Sequence, residues 1–313
     1  MATVKLSKDD IKTNKDNLEK STVVVPVCHD CGCDYGEIFS CTRYFNNYGP
    51  TYSGEMPLSN YPRWAMLIKD RKVTEEEKRI ICRMSPNEGN LDAIQAYDSE
   101  ALTAGAMQKT INSDGFGQFP DLVNKFKAKK PELYKTLFED CSWTVEMESS
   151  NTRMYWNKNT GEKLKYMLRE SKNYNAITYK KKDKYESKPL AAILKAIRHD
   201  DFVDLQVDDF IQQLREVLAK KITLDNKKYS ISSLVKSELG RTTVLDQYVN
   251  RPALVASDLK KSILTFLLKH QDVKSDPATW DSEHTKYEAE FIEHYGNHRQ
   301  GTDMVKRFKK LKG

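Results

Sequence analysis

The sequence predicts a mainly α (α+β) fold: a helical body, one small β-hairpin and an N-terminal cysteine-containing segment. Three observations carry this. Apolar residues recur at helical spacing, with Leu190, Ile193, Leu194 and Ile197 on one face and Phe210, Leu214 and Leu218 on another. Capping residues and prolines mark helix starts ahead of several such runs. The stretch from Trp143 to Lys188 departs from that period and is polar, aromatic and basic.

The elements follow in order. Met1 to Lys20 reads as a polar lead, and Thr22 to Val27 as a short strand. From there to Arg63, Tyr, Gly, Pro and Asn predict loops, and Trp64 to Ile68 a turn or two of helix. Thr74 with Glu77 forms a capping box. The helix it opens turns Ile80, Ile81 and Met84 inward and stops at Pro86 and Gly89, which leaves Glu88 at a helix C-terminus. Pro120 to Lys129 and Pro131 to Cys141 each carry proline near a helix start. Met154 to Leu164 reads as the hairpin, turning at Asn159 to Gly161. Further helices are expected over 231–239, 242–250, 257–270 and 283–295.

The bulk numbers narrow the partners. With 313 residues, 39% hydrophobic and 31% charged, the chain can bury a sizeable core in one large domain or two smaller ones. No apolar run reaches membrane-spanning length, and the polar N-terminus predicts no signal peptide. A net charge of +6 suits an acidic polymer, bacterial wall or nucleic acid, and equally a lysine-rich solvated surface. Four of the six cysteines crowd together, Cys28, Cys31, Cys33 and Cys41. That set suits tetrahedral zinc, disulfides or reduced thiols. The histidines are scattered; His294 and His298, four apart, fit a solvated helix better than a ligand pair. Lys180 to Lys182, beside Tyr179 and Tyr185, fit a solvated loop or a rim that attracts anions. Neither a cofactor nor a nucleic-acid partner is expected.

The chemistry concentrates in one stretch. Glu88 and Asp98 lie ten positions apart, separated by a Gly/Asn turn and a polar loop. A carboxyl at the negative end of a helix is disfavoured as an anion, and partial burial adds to that, so its pKa rises. That direction suits a general acid. Glycoside hydrolysis needs such a pair: one acid to protonate the leaving oxygen, one carboxylate to steer water or stabilise positive charge. Asn90 and Gln108 sit among small residues where a glycan can approach the backbone, and Tyr97, Tyr155 and Trp156 offer flat faces for sugar rings. Trp143 suits core packing better.

Glu88-Gly89-Asn90, Tyr97-Asp98 and Gly105-Ala106-Met107-Gln108 together resemble the lysozyme-like superfamily, in its goose-type lysozyme, lytic transglycosylase and chitosanase-like forms. The likeness covers roughly 25 residues. Val244 to Pro252 is similar, more loosely, to a late helix of such domains. The resemblance implies a lysozyme-like catalytic domain over 70–275, flanked by a loop-rich segment (1–69) and a helical extension (276–313). It implies Glu88 as general acid, Asp98 as the carboxylate that activates water, with Asp92 as the alternate, and Gln108 opening the next helix at the cleft. Gly89 stands where lytic transglycosylases carry serine, which favours hydrolysis. The implied substrate is the peptidoglycan glycan strand. Without a signal peptide, delivery is expected by type VI secretion, as an antibacterial effector with an immunity protein and a carrier, or by phage lysis. A lysozyme-like module that binds glycan without cleaving it is the competing class.

Overall fold

The computed structural model describes residues 39–44, 47–169, 184–185 and 187–313. The expected strand at 22–27, Cys28, Cys31, Cys33 and the lysine run at 180–182 lie outside them. The fold is mainly α (α+β), as the sequence predicts, but beside its hairpins it carries a six-stranded antiparallel sheet that the periodicity does not show.

Two hydrophobic clusters organise the chain. The first is helical. It gathers α1 (Trp64–Lys69), α2 (Glu75–Met84), α9 (Glu238–Asn250), α10 (Val255–Lys269), α11 (His284–His298) and α12 (Met304–Lys312) around Ile80, Ile81, Met84, Leu245, Phe291 and Phe308. The second lies under the sheet. It packs β1 (Phe39–Tyr44), β3 (Ile94–Gln95), β4 (Leu102–Ala104) and β5 (Lys109–Ile111) against α3 (Gln118–Lys129), α4 (Pro131–Leu137), α5 (Gly161–Arg169) and α6 (Lys188–Arg198). The sheet also contains β2 (Asn47–Tyr52) and β8 (Lys184–Tyr185), and its order is β5-β4-β3-β2-β1-β8.

Helix α7 (Asp200–Ala219) joins the two clusters. Its Phe202 and Leu205 belong to the sheet cluster, whereas Val207, Phe210, Leu214 and Val217 belong to the helical one. The stretch from Met84 to Met107 crosses the same seam twice. Leu91 packs in the helical cluster, Ile94 to Ala104 in the sheet cluster, and Ala106 and Met107 return to the helical one. Glu88 lies before the first crossing, between Met84 and Leu91 of the helical cluster.

Residues 276–313 share the helical cluster through Trp280, Phe291, Tyr295 and Phe308, and Leu58, Tyr61 and Trp64 share it too. Neither boundary, at 69/70 or at 275/276, therefore marks a separate core.

Several elements differ from the periodicity reading. Gly105 to Gln108 does not open a helix. It forms the turn joining β4 to β5, in register Ala104↔Lys109, with Gly105 at φ +78° and Gln108 at φ +47°. Gly105 is needed there twice over: an added Cβ would also meet Gln206 Oε1 at 2.2 Å. The hairpin pairs β6 (Trp143–Glu148) with β7 (Asn151–Trp156), so its turn lies at 149–150. Asn159 to Gly161 instead leads into α5. A second hairpin, β9 (Lys221–Leu224) with β10 (Lys227–Ser230), precedes the four-residue α8 (Ile231–Leu234). The helix expected over 231–239 breaks at Val235, because Ser237 caps α9 by accepting from Gly240 N.

Candidate functional site: a buried carboxyl at a helix end

Thr74 fixes the start of α2. Its hydroxyl accepts from Glu77 N at 3.1 Å, and the Glu77 carboxylate accepts from Thr74 N at 2.8 Å. Three glutamates in the first turn favour the positive helix end. The helix runs to Met84 and tightens into a 3₁₀ turn, Ser85–Asn87. Glu88 is the next residue, and Gly89, at φ +84°, turns the chain away. The sequence reading thus places Glu88 correctly at a helix end.

Glu88 is 3% exposed. Its carboxylate accepts from Arg307 Nη2 of α12. Arg307 is held on every nitrogen. Nε donates to the Asp246 carboxylate at 3.1 Å and Nη2 at 2.7 Å, while Nη1 donates to the Asn87 carbonyl at 3.2 Å. Asp246, on α9, is fully buried and also accepts from Asn87 Nδ2 at 2.9 Å and Arg299 Nη2 at 2.6 Å. Two guanidinium groups thus face two carboxylates. Burial of Glu88 outweighs the opposing pull of Arg307, and Asp246 adds to the rise, so the carboxyl pKa is lifted from 4.5 to about 7.

Asp98 belongs to a different neighbourhood. It sits on the loop between β3 and β4, half-buried. Its carboxylate accepts from Glu100 N at 3.0 Å, and its carbonyl accepts from Arg169 Nη2 at 2.6 Å. Among the described residues it shares no hydrogen-bond partner with Glu88. Asp92 is a structural anchor: fully buried, it accepts from Glu55 N and Met56 N and pairs with Arg198 at 2.8 Å. All its lone-pair directions toward protein are in use, which argues against the alternate water-activating role.

The expected sugar-contacting residues divide similarly. The Asn90 side chain donates to the carbonyls of Ser53 and Gly54, bracing that turn. Tyr97 donates to Gln95 Oε1 at 3.3 Å and lies beside Asp98 on the same loop. Gln108 is half-buried in the β4–β5 turn. Tyr155 donates to the Glu148 carboxylate, and Trp156 donates to the Cys141 carbonyl at 3.2 Å; both belong to the β6–β7 hairpin. Trp143 is core, fully buried and bonded to the Pro189 carbonyl. The structure therefore groups Glu88 with Asn87, and groups Tyr97 with Asp98. Tyr155 and Trp156 donate to residues of neither group.

Sequence reasoning missed Asp246, Arg299 and Arg307. One signal was present: Asp246 interrupts the apolar run Val244-Leu245, where an acid is costly unless paired.

Of the clustered cysteines, Cys41 lies on β1, and no group of three or more potential metal ligands occurs among the described residues. Cys82 is a free thiol on α2, raised in pKa by burial, and Cys141 is disulfide-bonded. His294 and His298 stack at 4.1 Å between ring centroids. Among the described residues no helix is long and apolar enough to cross a membrane. Comparison with protein-family models, curated proteins and solved structures finds no match.

Proposed function

We propose that the chain is a lysozyme-like glycoside hydrolase that cleaves β-1,4 bonds of peptidoglycan glycan strands, with Glu88 as general acid. One observation carries the reading. A helix-end carboxyl lies buried against the helical cluster, and burial lifts its pKa to about 7, so it holds a transferable proton near neutral pH. Arg307, fixed by Asp246 and the Asn87 carbonyl, aims a cation at the same carboxyl and stabilises the carboxylate left after proton transfer. Asp98 is the proposed water-activating carboxylate. Inverting geometry requires carboxyl groups roughly 6.5–9.5 Å apart with water between them.

The proposed setting is an antibacterial effector of type VI secretion, acting on the target's wall and restrained in the producer by an immunity protein; a phage endolysin is the alternative. Incubation with sacculi, followed by mass spectrometry, tests the activity. Wild-type protein should release fragments with reducing ends, and Glu88→Gln should lose about 100-fold or more in rate. Retention of more than about a tenth of the rate removes Glu88 from the role. Products with a 1,6-anhydro ring would indicate a transglycosylase.

A second reading rests on the 3% exposure of Glu88 and its clamp to Arg307. A non-catalytic glycan-binding module would use the cluster to hold α9 and α12 to the end of α2. It predicts sacculus binding without product, unchanged by Glu88→Gln.

A further inference from the structure

Two hollows adjoin along α7, one of about 220 Å³ and one of about 480 Å³. Both are lined by Lys125, Asp209 and Gln212, so they form one trough. Its floor is an ion pair, Lys109 Nζ to Asp209 Oδ2 at 2.8 Å, with side chains only 7% and 10% exposed. Lys109 directly follows Gln108 on the β4–β5 turn, so the trough adjoins that turn.

Charge is distributed unevenly along it. The end toward α9 carries exposed Asp121 and Glu216, with Tyr248 donating to the Glu216 carboxylate. The other end carries exposed Arg71, Lys72 and Lys129 around Asp208. Arg215 lines that end as well, but Glu77 holds it at 2.7 Å. A uniform polyanion would meet carboxylates at one end and lose there what it gains at the other. A chain with an amine toward one end and carboxylates toward the other matches both. Gln118 lines the first hollow with a side-chain amide able to pair with a peptide backbone, while Gln212 and Gln213 donate to Glu216 at 3.0 Å and Asp209 at 2.9 Å and leave their amide oxygens to accept.

We propose that this trough binds a short mixed-charge peptide, its carboxylates toward Lys72 and Lys129 and its amine toward Asp121 and Glu216. This rests on the proposed wall-glycan reading for its biological source: the peptide is the stem that substitutes the glycan, and the substrate is peptide-bearing rather than bare glycan.

The test needs no turnover. The synthetic tetrapeptide Ala-γ-Glu-Lys-Ala, its N-terminus acetylated as in a glycan-linked stem so that the lysine Nε is its one amine, is titrated into the full chain by calorimetry, alongside the form acetylated on that Nε as well, a bare chitooligosaccharide and inorganic polyphosphate. Wild-type protein should bind the tetrapeptide more tightly than the other three. Lys72→Glu/Lys129→Glu should weaken tetrapeptide binding at least tenfold with an unchanged melting curve. Asp121→Asn should weaken the free-amine peptide and leave the Nε-acetylated one unaffected. The proposal is overturned by equal binding of peptide and bare glycan, by tighter binding of polyphosphate, or by insensitivity to both substitutions. Failure of the hydrolase reading shows separately, as intact sacculi in the digestion assay.

Discussion

At the residue scale, Glu88 links stability to pH in a direction that can be signed. Its carboxyl titrates near 7 in the folded chain against an ordinary value of 4.5. Between those values the folded state keeps a proton that the unfolded state has released. The stability from this group is therefore complete below about 4.5 and is lost as pH rises through 7, by on the order of 3 kcal/mol. Glu88→Gln removes that dependence and leaves Arg307 paired with Asp246. Melting temperatures measured from pH 5 to 8 should show the variant gaining on wild type as pH rises. Parallel curves would mean that burial does not govern this carboxyl. If Glu88 is the acid, wild-type rate on sacculi should also fall above about pH 7, as the proton is lost. Asp246 is the more vulnerable partner structurally. Asp246→Ala would leave Arg299 and Arg307 facing each other without their shared carboxylate, costing about 3–5 kcal/mol. Urea unfolding measures it, and a loss below about 1 kcal/mol would show that the guanidinium groups find solvent instead.

At the element scale, the turn Gly105 to Gln108 joins the site to the sheet. Gly105 N donates to the Ala93 carbonyl at 2.9 Å, tying the β4–β5 turn back to the strand that follows Glu88. Gly105→Ala forces a Cβ against Gln206 at a positive φ, and should cost about 1–3 kcal/mol. Calorimetric melting checks it; a neutral result would mean that Gln206 simply swings away. Asp98→Asn acts on the neighbouring loop, where the amide can keep the acceptor oxygen that binds Glu100 N. The fold should be retained while hydrolysis falls about 100-fold or more if Asp98 activates water. Unchanged turnover would remove Asp98 from that role. The long amphipathic helices were legible in sequence because each repeats one period over several turns. The strands of the sheet were not: β3, β4 and β5 are two or three residues long and carry no period, and β1 and β2, six residues each, lie in the Tyr-, Gly-, Pro- and Asn-rich stretch that reads as loops.

At the scale of the whole molecule, the last helix completes the site. Arg307 reaches Glu88 across 219 positions of sequence, Lys310 donates to the Pro86 carbonyl at 2.6 Å, and Arg83 donates to the Leu311 carbonyl at 2.9 Å. Phe308 and Leu311 bury their side chains beside these contacts. Deleting residues 304–313 should therefore both lower the melting temperature and abolish any activity that depends on Glu88. A truncated chain with wild-type turnover and melting would show that α12 is an appendage, as the expected boundary after residue 275 implies.

The sequence by itself determined the local features: the capping box at Thr74, the helix end at Glu88, the amphipathic helices and the core place of Trp143. Each depends on neighbours within a few positions, where spacing and residue type decide the outcome. Only the tertiary structure decided which charges meet. Arg299 and Arg307 look like ordinary surface residues in a lysine-rich chain, and the place of Asp246 after Val244-Leu245 signals that it needs a partner without saying which. The three become a buried cluster because α9 packs against α2 while α12 packs against α9 and α11, and long-range packing of that kind leaves no period to read.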